Sequence, residues 1–317
     1  MEEDCHRVES ERFVFHSDPW INLHHFLFQW ARDASPRQAG DRRRAVEVPE
    51  RAQIGDLEEA EQQTWERAAD FYRERLIASD LLFDRDLVAL RGRLAAIACS
   101  APGSEDIDPE PWAVLVEAMP VYRQRWWPEH HAVNVAWIRS QRQGLESYGS
   151  TLARRLAEAY GGAWPPERLR VDVAAHSNWA GAYTTNHPNR LTISSTSYKD
   201  LEALEILFHE VSHASFFEQR ILGELAAAFR RSGTDSPDDL AHVIQFVTPA
   251  ELLRSLLRVE ELDAVLFIAD RMAARSRLRA RYRIVLEHWK SFLDGRIERA
   301  EALDRIAAEL TKQHDPD

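Results

Sequence analysis

The chain has 317 residues, a formal net charge of −12 and 44 % hydrophobic residues, including ten tryptophans. This length fits one large domain or two smaller ones, and the apolar content is sufficient for a buried core. The excess of acidic residues argues against a nucleic-acid-binding protein, which normally presents a basic face. No apolar stretch reaches the roughly 18 residues that a membrane-spanning helix needs. Neither a nucleic-acid partner nor a membrane span is therefore expected.

The first residues, Met1 to His6, are acidic, whereas a secretory signal begins with basic residues followed by an apolar segment. The sequence as written therefore predicts a cytoplasmic protein. A misassigned start codon would hide a signal peptide and make the protein extracytoplasmic. Cys5 and Cys99 do not form a ligand-spaced pair, so zinc held by thiolates is not expected.

Helix signals dominate the first half of the chain. Ser17-Asp18-Pro19 has the pattern of a helix cap with proline in the first turn, and it predicts a helix through about Ala34. The polar, Arg-rich stretch 35–50 is typical of an exposed linker. Further helices are expected at 56–79, 84–99, 109–126 and 129–160. Residues 1–165 are therefore predicted to be an α-helical N-terminal region.

The second half begins with strand signals. Three short segments rich in β-branched and aromatic residues lie at 170–175, 179–185 and 190–195. A turn signal at 186–189 separates the last two, which predicts a small sheet ending in a hairpin. Helices are then expected at 199–231, 238–247, 249–275, 278–294 and 296–313. The predicted fold is α+β and predominantly α-helical, with residues 166–317 as a second region that contains the small sheet and the C-terminal helices.

Residues 206–215, Ile-Leu-Phe-His-Glu-Val-Ser-His-Ala-Ser, contain the most informative pattern of the chain. Residues i and i+4 share one face of a helix, so the imidazoles of His209 and His213 can converge on one metal ion. Glu210 lies about 100° further round the helix, where its carboxylate can take a proton from metal-activated water. The flanking residues are apolar, and polar side chains on a buried helix need a partner. A zinc ion is the expected partner.

A catalytic zinc usually has three protein ligands and a water. The downstream candidates are Glu218, Glu224, His242, Glu251, Glu260 and Glu261. On a continuous helix, Glu218 and Glu224 are too far along the axis to reach the metal. His242 lies on the apolar face of a predicted helix and is the preferred third ligand.

Glu251 is the alternative third ligand. It follows Pro249 in the first turn of the next predicted helix, where a carboxylate also acts as a cap favoured by the helix dipole.

With this motif behind a small sheet, residues 169–255 resemble the zincin metallopeptidases, and more loosely their gluzincin branch. The resemblance implies that His209 and His213 are zinc ligands and Glu210 the general base. By position, the edge strand that pairs with an extended peptide substrate comprises Asn178, Trp179, Ala180, Gly181 and Ala182. A gluzincin takes its third ligand from a Glu on a following helix, whereas the best-placed candidate here is a His.

The resemblance also implies that a residue of the C-terminal helices donates a hydrogen bond to the oxyanion that forms during hydrolysis, and Tyr282 is the candidate. A buried tyrosine with a hydrogen-bonded hydroxyl is the commoner explanation. The sequence thus predicts a hydrolase with one Zn²⁺ per chain that acts on a peptide or small amide substrate. Two alternatives stay open: hydrolysis of a non-peptide amide or ester, and a non-catalytic helical scaffold or interaction protein that binds no metal.

Overall fold

The computed structural model describes residues 5–35, 47–97, 108–257 and 279–314. They have a predominantly α-helical α+β fold, as the sequence predicted. The chain divides into two compact units, which are described separately below. The first unit comprises residues 1–140 and 169–199, and the second comprises 141–168 and 200–317. None of the described helices is long and apolar enough to cross a bilayer.

The first unit contains a five-stranded sheet with the strand order β1-β2-β3-β5-β4. Its strands are β1 His6–Glu9, β2 Phe13–Ser17, β3 Leu169–Ala174, β4 Ala182–Thr185 and β5 Arg190–Ser194. The three central strands are parallel, and the edge strands β1 and β4 are antiparallel to their neighbours. β4 and β5 form the predicted hairpin.

β1 and β2 were not predicted from the sequence. Phe13 and Phe15 are buried and alternate with half-buried Val14 and His16, which is the period-two pattern of a strand. Five residues are too few for this pattern to stand out beside the strong signal of the helix that follows. Because β2 pairs with β3, the sheet lies in one unit with the N-terminal helices. The predicted boundary after residue 165 does not separate these parts.

The helices of the first unit are α1 Pro19–Asp33, α2 Glu59–Arg75, α3 Arg85–Ile97, α4 Pro109–Arg125 and α5 Trp127–Gly144, with a 3₁₀ helix at Pro49–Asp56. α5 extends past Ser140 into the second unit. α1 begins as predicted, because the Asp18 carboxylate accepts hydrogen bonds from the backbone N–H groups of Trp20 and Ile21 at 2.9 and 3.2 Å. The packed aromatic core of this unit includes Phe26, Trp30, Trp65, Tyr122 and Trp126.

Asp172 is a buried carboxylate in β3. It forms ion pairs with Arg91 of α3 at 3.2 Å and with Arg170 at 2.7 Å. Burial by itself raises the pKa of Asp172, but the guanidinium groups of Arg170 and Arg91 outweigh burial and hold this pKa below its ordinary value. Arg91 also donates to the Thr185 hydroxyl at 2.6 Å. This charged group therefore ties α3 to β3 and β4.

The helices of the second unit are α6 Ser150–Ala159, α7 Asp200–Ser212, α8 Ser215–Arg231, α9 Leu240–Leu257, α10 Arg279–Leu293 and α11 Arg299–His314. A π-helical turn at Leu145–Gly149 precedes α6. α9 packs against α6, α7 and α10, so it lies at the centre of this unit.

Two predictions of helix continuity are wrong. The predicted helix 199–231 ends at Ser212, because the N–H groups of His213 and Ala214 bond to carbonyls three residues back and Ala214 is extended. The predicted break before Pro249 is absent, and α9 continues through this proline to Leu257. Residues 258–275 of the predicted helix lie outside the described residues.

Candidate metal centre

Three histidines of the second unit lie together. His209 is on α7, His213 directly follows the end of α7, and His242 is in the first turn of α9. Each offers a ring nitrogen within 4.8 Å of those of the other two. The structure therefore brings together the three residues that the sequence suggests as metal ligands.

Hydrogen bonds orient two of the three imidazoles. His209 Nδ1 lies 3.1 Å from the backbone carbonyl oxygen of Gln245, and His213 Nδ1 lies 3.2 Å from Glu218 Oε1. Carbonyl and carboxylate oxygens accept hydrogen bonds, so each Nδ1 is the protonated donor. Each Nε2 is then left with its lone pair, and the two Nε2 atoms face each other at 3.3 Å.

Two lone pairs at this separation repel each other unless a metal ion or a proton lies between them. Nitrogens bonded to one tetrahedral zinc at roughly 2.0–2.1 Å are themselves about 3.3–3.4 Å apart. The separation between His209 Nε2 and His213 Nε2 therefore fits a shared zinc ion. Imidazole is also a ligand type that suits zinc.

Pro249 explains why the Gln245 carbonyl can accept from His209. In an α-helix the N–H of residue i bonds to the carbonyl of residue i−4, and proline has no N–H. Pro249 lies inside α9, so it cannot donate to the carbonyl of Gln245. His209 Nδ1 supplies a hydrogen bond to this oxygen instead.

The side chain of Gln245 makes a second connection between the two helices. Its Nε2 donates to the carbonyl oxygen of Ser212 at 2.9 Å. Ser212 is the last residue of α7, where carbonyls have no helical donor. Gln245 thus holds the end of α7 that carries His209. Gln245 was not predicted from the sequence, because its role depends on which helix packs beside it.

Glu218 was also missed as a contact of the site. The prediction that Glu218 lies too far from the metal holds only for one continuous helix. The break at 213–214 starts a new helix, in which Glu218 approaches the Nδ1 atom of His213. Glu218 orients this imidazole, whereas Glu224 pairs with Arg299 at 3.0 Å.

The cluster has a buried end and an open end. His209 is 3 % exposed, His213 is partly exposed and His242 is exposed. Phe246 stacks on the rings of His209 and His242, with centroids 3.9 and 4.6 Å apart. Structural zinc sites are closed by four protein ligands, while catalytic sites keep an open position. Three histidines with an exposed side match the catalytic type.

Burial and the neighbouring His213 and His242 hold the pKa of His209 well below its ordinary value. Desolvation among packed rings and the nearby His213 also lower the pKa of His242. Neutral imidazoles are the form that binds metal.

Glu210 directly follows His209 on α7 and is 3 % exposed. Its assignment as general base stays a prediction. Tyr282 is buried on α10, which packs against the helix of His242. Its assignment as oxyanion donor likewise stays a prediction.

Glu251, the alternative third ligand, does not lie in the cluster of the three histidines. It is inside α9, not in the first turn of a new helix, and about 13 Å further along the axis than His242. Its carboxylate is buried and forms ion pairs with Arg254 and with Lys290. The described metal-ligand cluster contains His242 and not Glu251. Glu260 and Glu261 lie outside the described residues.

The predicted substrate strand at Asn178–Ala182 is wrong. Residues 178–181 form a turn in the first unit, and β4 begins only at Ala182. Asn178 Oδ1 accepts from the Ala180 N–H at 3.0 Å, and Gly181 has φ +84°. A Cβ at Gly181 would lie 2.8 Å from Ser197 Cβ. Trp179 is 40 % exposed in this turn. Local turn geometry therefore outweighed the β propensity of Trp179.

Comparison with known proteins gives no assignment: no family model, curated protein or solved structure matches the chain. The zincin resemblance therefore rests on the motif residues alone.

Proposed function

We propose that this protein is a zinc-dependent hydrolase that cleaves peptide bonds, with one Zn²⁺ held by His209, His213 and His242. The observation that carries the proposal is the 3.3 Å separation of His209 Nε2 and His213 Nε2. Both nitrogens are aimed at one point by hydrogen bonds at the opposite nitrogen of each ring. Such outer hydrogen bonds are typical of histidine metal ligands.

A zinc ion in such a site supplies Lewis-acid activation of water, whose pKa falls to about 7 on binding. Glu210 is the proposed general base, which takes a proton from the attacking water and passes it to the leaving amine. Gln245 and Glu218 keep the imidazoles of His209 and His213 in the tautomer that binds metal. Phe246 shields the faces of His209 and His242.

The choice of a peptide substrate rests on the zincin resemblance. His209, Glu210 and His213 account for water activation in any amide or ester hydrolase. A digest of a peptide library, compared with small amide and ester substrates, identifies the acyl group that is cleaved.

The decisive variant is Glu210→Gln. It should lower turnover by at least about 100-fold, as loss of a general base does, while the zinc content stays at the wild-type level. Glu202→Gln changes a carboxylate in the first turn of the same helix and is the matched control, with wild-type activity expected. Full activity in Glu210→Gln would contradict the mechanism. A wild-type protein that binds no zinc would favour the scaffold alternative.

A further inference from the structure

A second group of potential metal ligands lies in the first unit. It consists of Glu50 in the 3₁₀ helix, His130 on α5 and His176 in the segment that follows β3. His130 Nε2 lies 3.1 Å from Glu50 Oε1, and His176 Nε2 lies 2.9 Å from the same oxygen. All three ligand atoms lie within 4.8 Å of one another. We propose that Glu50, His130 and His176 bind a second divalent transition-metal ion.

The surroundings of Glu50 leave part of its carboxylate unsatisfied. Its side chain is 14 % exposed, and its only ion-pair partners among the described residues are the two histidines. Oε2 is buried and has no hydrogen-bond partner in the described part of the chain. A buried carboxylate oxygen without a partner is costly. A metal ion bound to both carboxylate oxygens would satisfy this atom.

The two imidazoles are held in place before any metal binds. The rings of Phe26 and His130 pack edge to face with centroids 4.8 Å apart, and the rings of Phe26 and His176 stack with centroids 5.2 Å apart. His130 Nδ1 lies 2.9 Å from the Tyr122 hydroxyl oxygen, so the opposite nitrogen faces Glu50. A hydrogen bond at the remote ring nitrogen is the usual support of a histidine ligand.

The ligand chemistry selects the class of ion. Two imidazole nitrogens with one carboxylate suit zinc and its neighbours in the first transition row, whereas Mg²⁺ and Ca²⁺ prefer oxygen ligands. The side chains of His130 and His176 are only 4 % and 6 % exposed. With both carboxylate oxygens of Glu50 bound, the site supplies four ligand atoms. This closure and the burial favour a structural ion that links the 3₁₀ helix, α5 and the end of β3, in contrast to the open cluster of the second unit.

The competing arrangement is a hydrogen-bonded triad without metal, in which both Nε2 atoms carry protons and donate to Glu50. The two arrangements differ in the Zn²⁺ content of the protein.

Full-length protein purified without a metal-affinity tag is stripped with a chelator, reloaded with Zn²⁺ alone, desalted and assayed for zinc by mass spectrometry. The variants are Glu50→Gln, the double variant His209→Ala/His213→Ala and their combination. His288→Ala is the control, because His288 pairs with Glu309 at 2.7 Å outside both described clusters.

The proposal predicts about two zinc ions in the wild type and in the control, about one in Glu50→Gln, about one in the double variant and none in the combination. Zinc should also raise the melting temperature of the double variant, because a ligand that binds only the folded state stabilises it. The melting-temperature measurement leaves Glu50 unchanged, so it still tests the second site if the Glu50→Gln protein fails to fold.

The outcome separates this site from the proposed catalytic site. One zinc in the wild type that is retained in Glu50→Gln, with no thermal shift in the double variant, overturns the second site. One zinc that is lost in Glu50→Gln but retained in the double variant supports the second site and contradicts the catalytic one.

Discussion

Pro249 and His209 are coupled through a single carbonyl oxygen. Because Pro249 has no N–H, the carbonyl of Gln245 lacks its usual helical donor, and His209 Nδ1 bonds to this oxygen at 3.1 Å. A proline in one helix thus sets the tautomer of a candidate ligand in another. The sequence shows this proline, and only the packing of α7 against α9 shows its partner.

Replacing Pro249 by alanine should weaken zinc binding. An alanine at this position would restore an N–H that competes with His209 for the Gln245 carbonyl, and loss of such outer hydrogen bonds typically costs roughly 10–100-fold in metal affinity. We expect a decrease of about tenfold, measured by competition with a chromophoric chelator. Pro120→Ala, which changes a proline inside α4, is the control and should leave this affinity unchanged. Unchanged zinc affinity in Pro249→Ala would show that His209 does not depend on the freed carbonyl.

Replacing Glu218 by glutamine should also weaken zinc binding, by about tenfold. The amide oxygen can still accept from His213 Nδ1, but it lacks the negative charge that makes the imidazole a stronger ligand. Glu224→Gln is the matched control on the same helix, because Glu224 pairs with Arg299. Isothermal titration with Zn²⁺ distinguishes the two variants, and equal affinities would rule out a role for Glu218 at the metal.

Replacing His242 by alanine tests the third ligand. The variant should lose most of the zinc at this site in protein dialysed against a weak chelator, because only two protein ligands remain. Since His242 is exposed, the fold should tolerate the change, and circular dichroism checks this. Full retention of zinc at wild-type affinity would mean that another residue completes the site.

The buried ion pairs of Asp172 predict a pH dependence of stability. The native pKa of Asp172 lies below its ordinary value, so the unfolded state binds more protons in acid. The stabilisation that the ion pairs of Asp172 contribute is therefore complete above the unfolded-state pKa of Asp172, about 4. It is lost as the pH falls through the native pKa of Asp172.

The variant Asp172→Asn tests this dependence. It leaves Arg91 and Arg170 without their carboxylate, which should lower the free energy of unfolding by about 3 kcal/mol at pH 7. The difference from the wild type should shrink below about pH 4. Urea unfolding of both proteins at several pH values between neutral and acid measures this difference in the free energy of unfolding. Asp70 forms an exposed ion pair with Arg73, so Asp70→Asn is the control. This variant should change the free energy of unfolding little at any pH. A difference that stays constant with pH would contradict the assignment.

The predictions from sequence succeeded where the signal was local and strong. The cap of α1 at Asp18 and the hairpin at 186–189 are set by residues adjacent in the chain. The break after Ser212 and the continuity of α9 through Pro249 were missed. At both places the neighbouring helix supplies a partner for a free backbone carbonyl: Gln245 Nε2 donates to that of Ser212, and His209 Nδ1 donates to that of Gln245.

The sequence by itself determined the helical character of the chain, the hairpin of β4 and β5, and the spacing that directs His209 and His213 to one side of a helix. These features depend on neighbours within a few residues. Only the tertiary structure decided that His242 joins them, that Gln245 and Glu218 fix their tautomers, and that Glu50 meets His130 and His176. Those contacts join residues that are far apart in the chain or separated by a helix break. Their positions follow from how the buried faces of the helices pack, which spacing in the sequence does not encode.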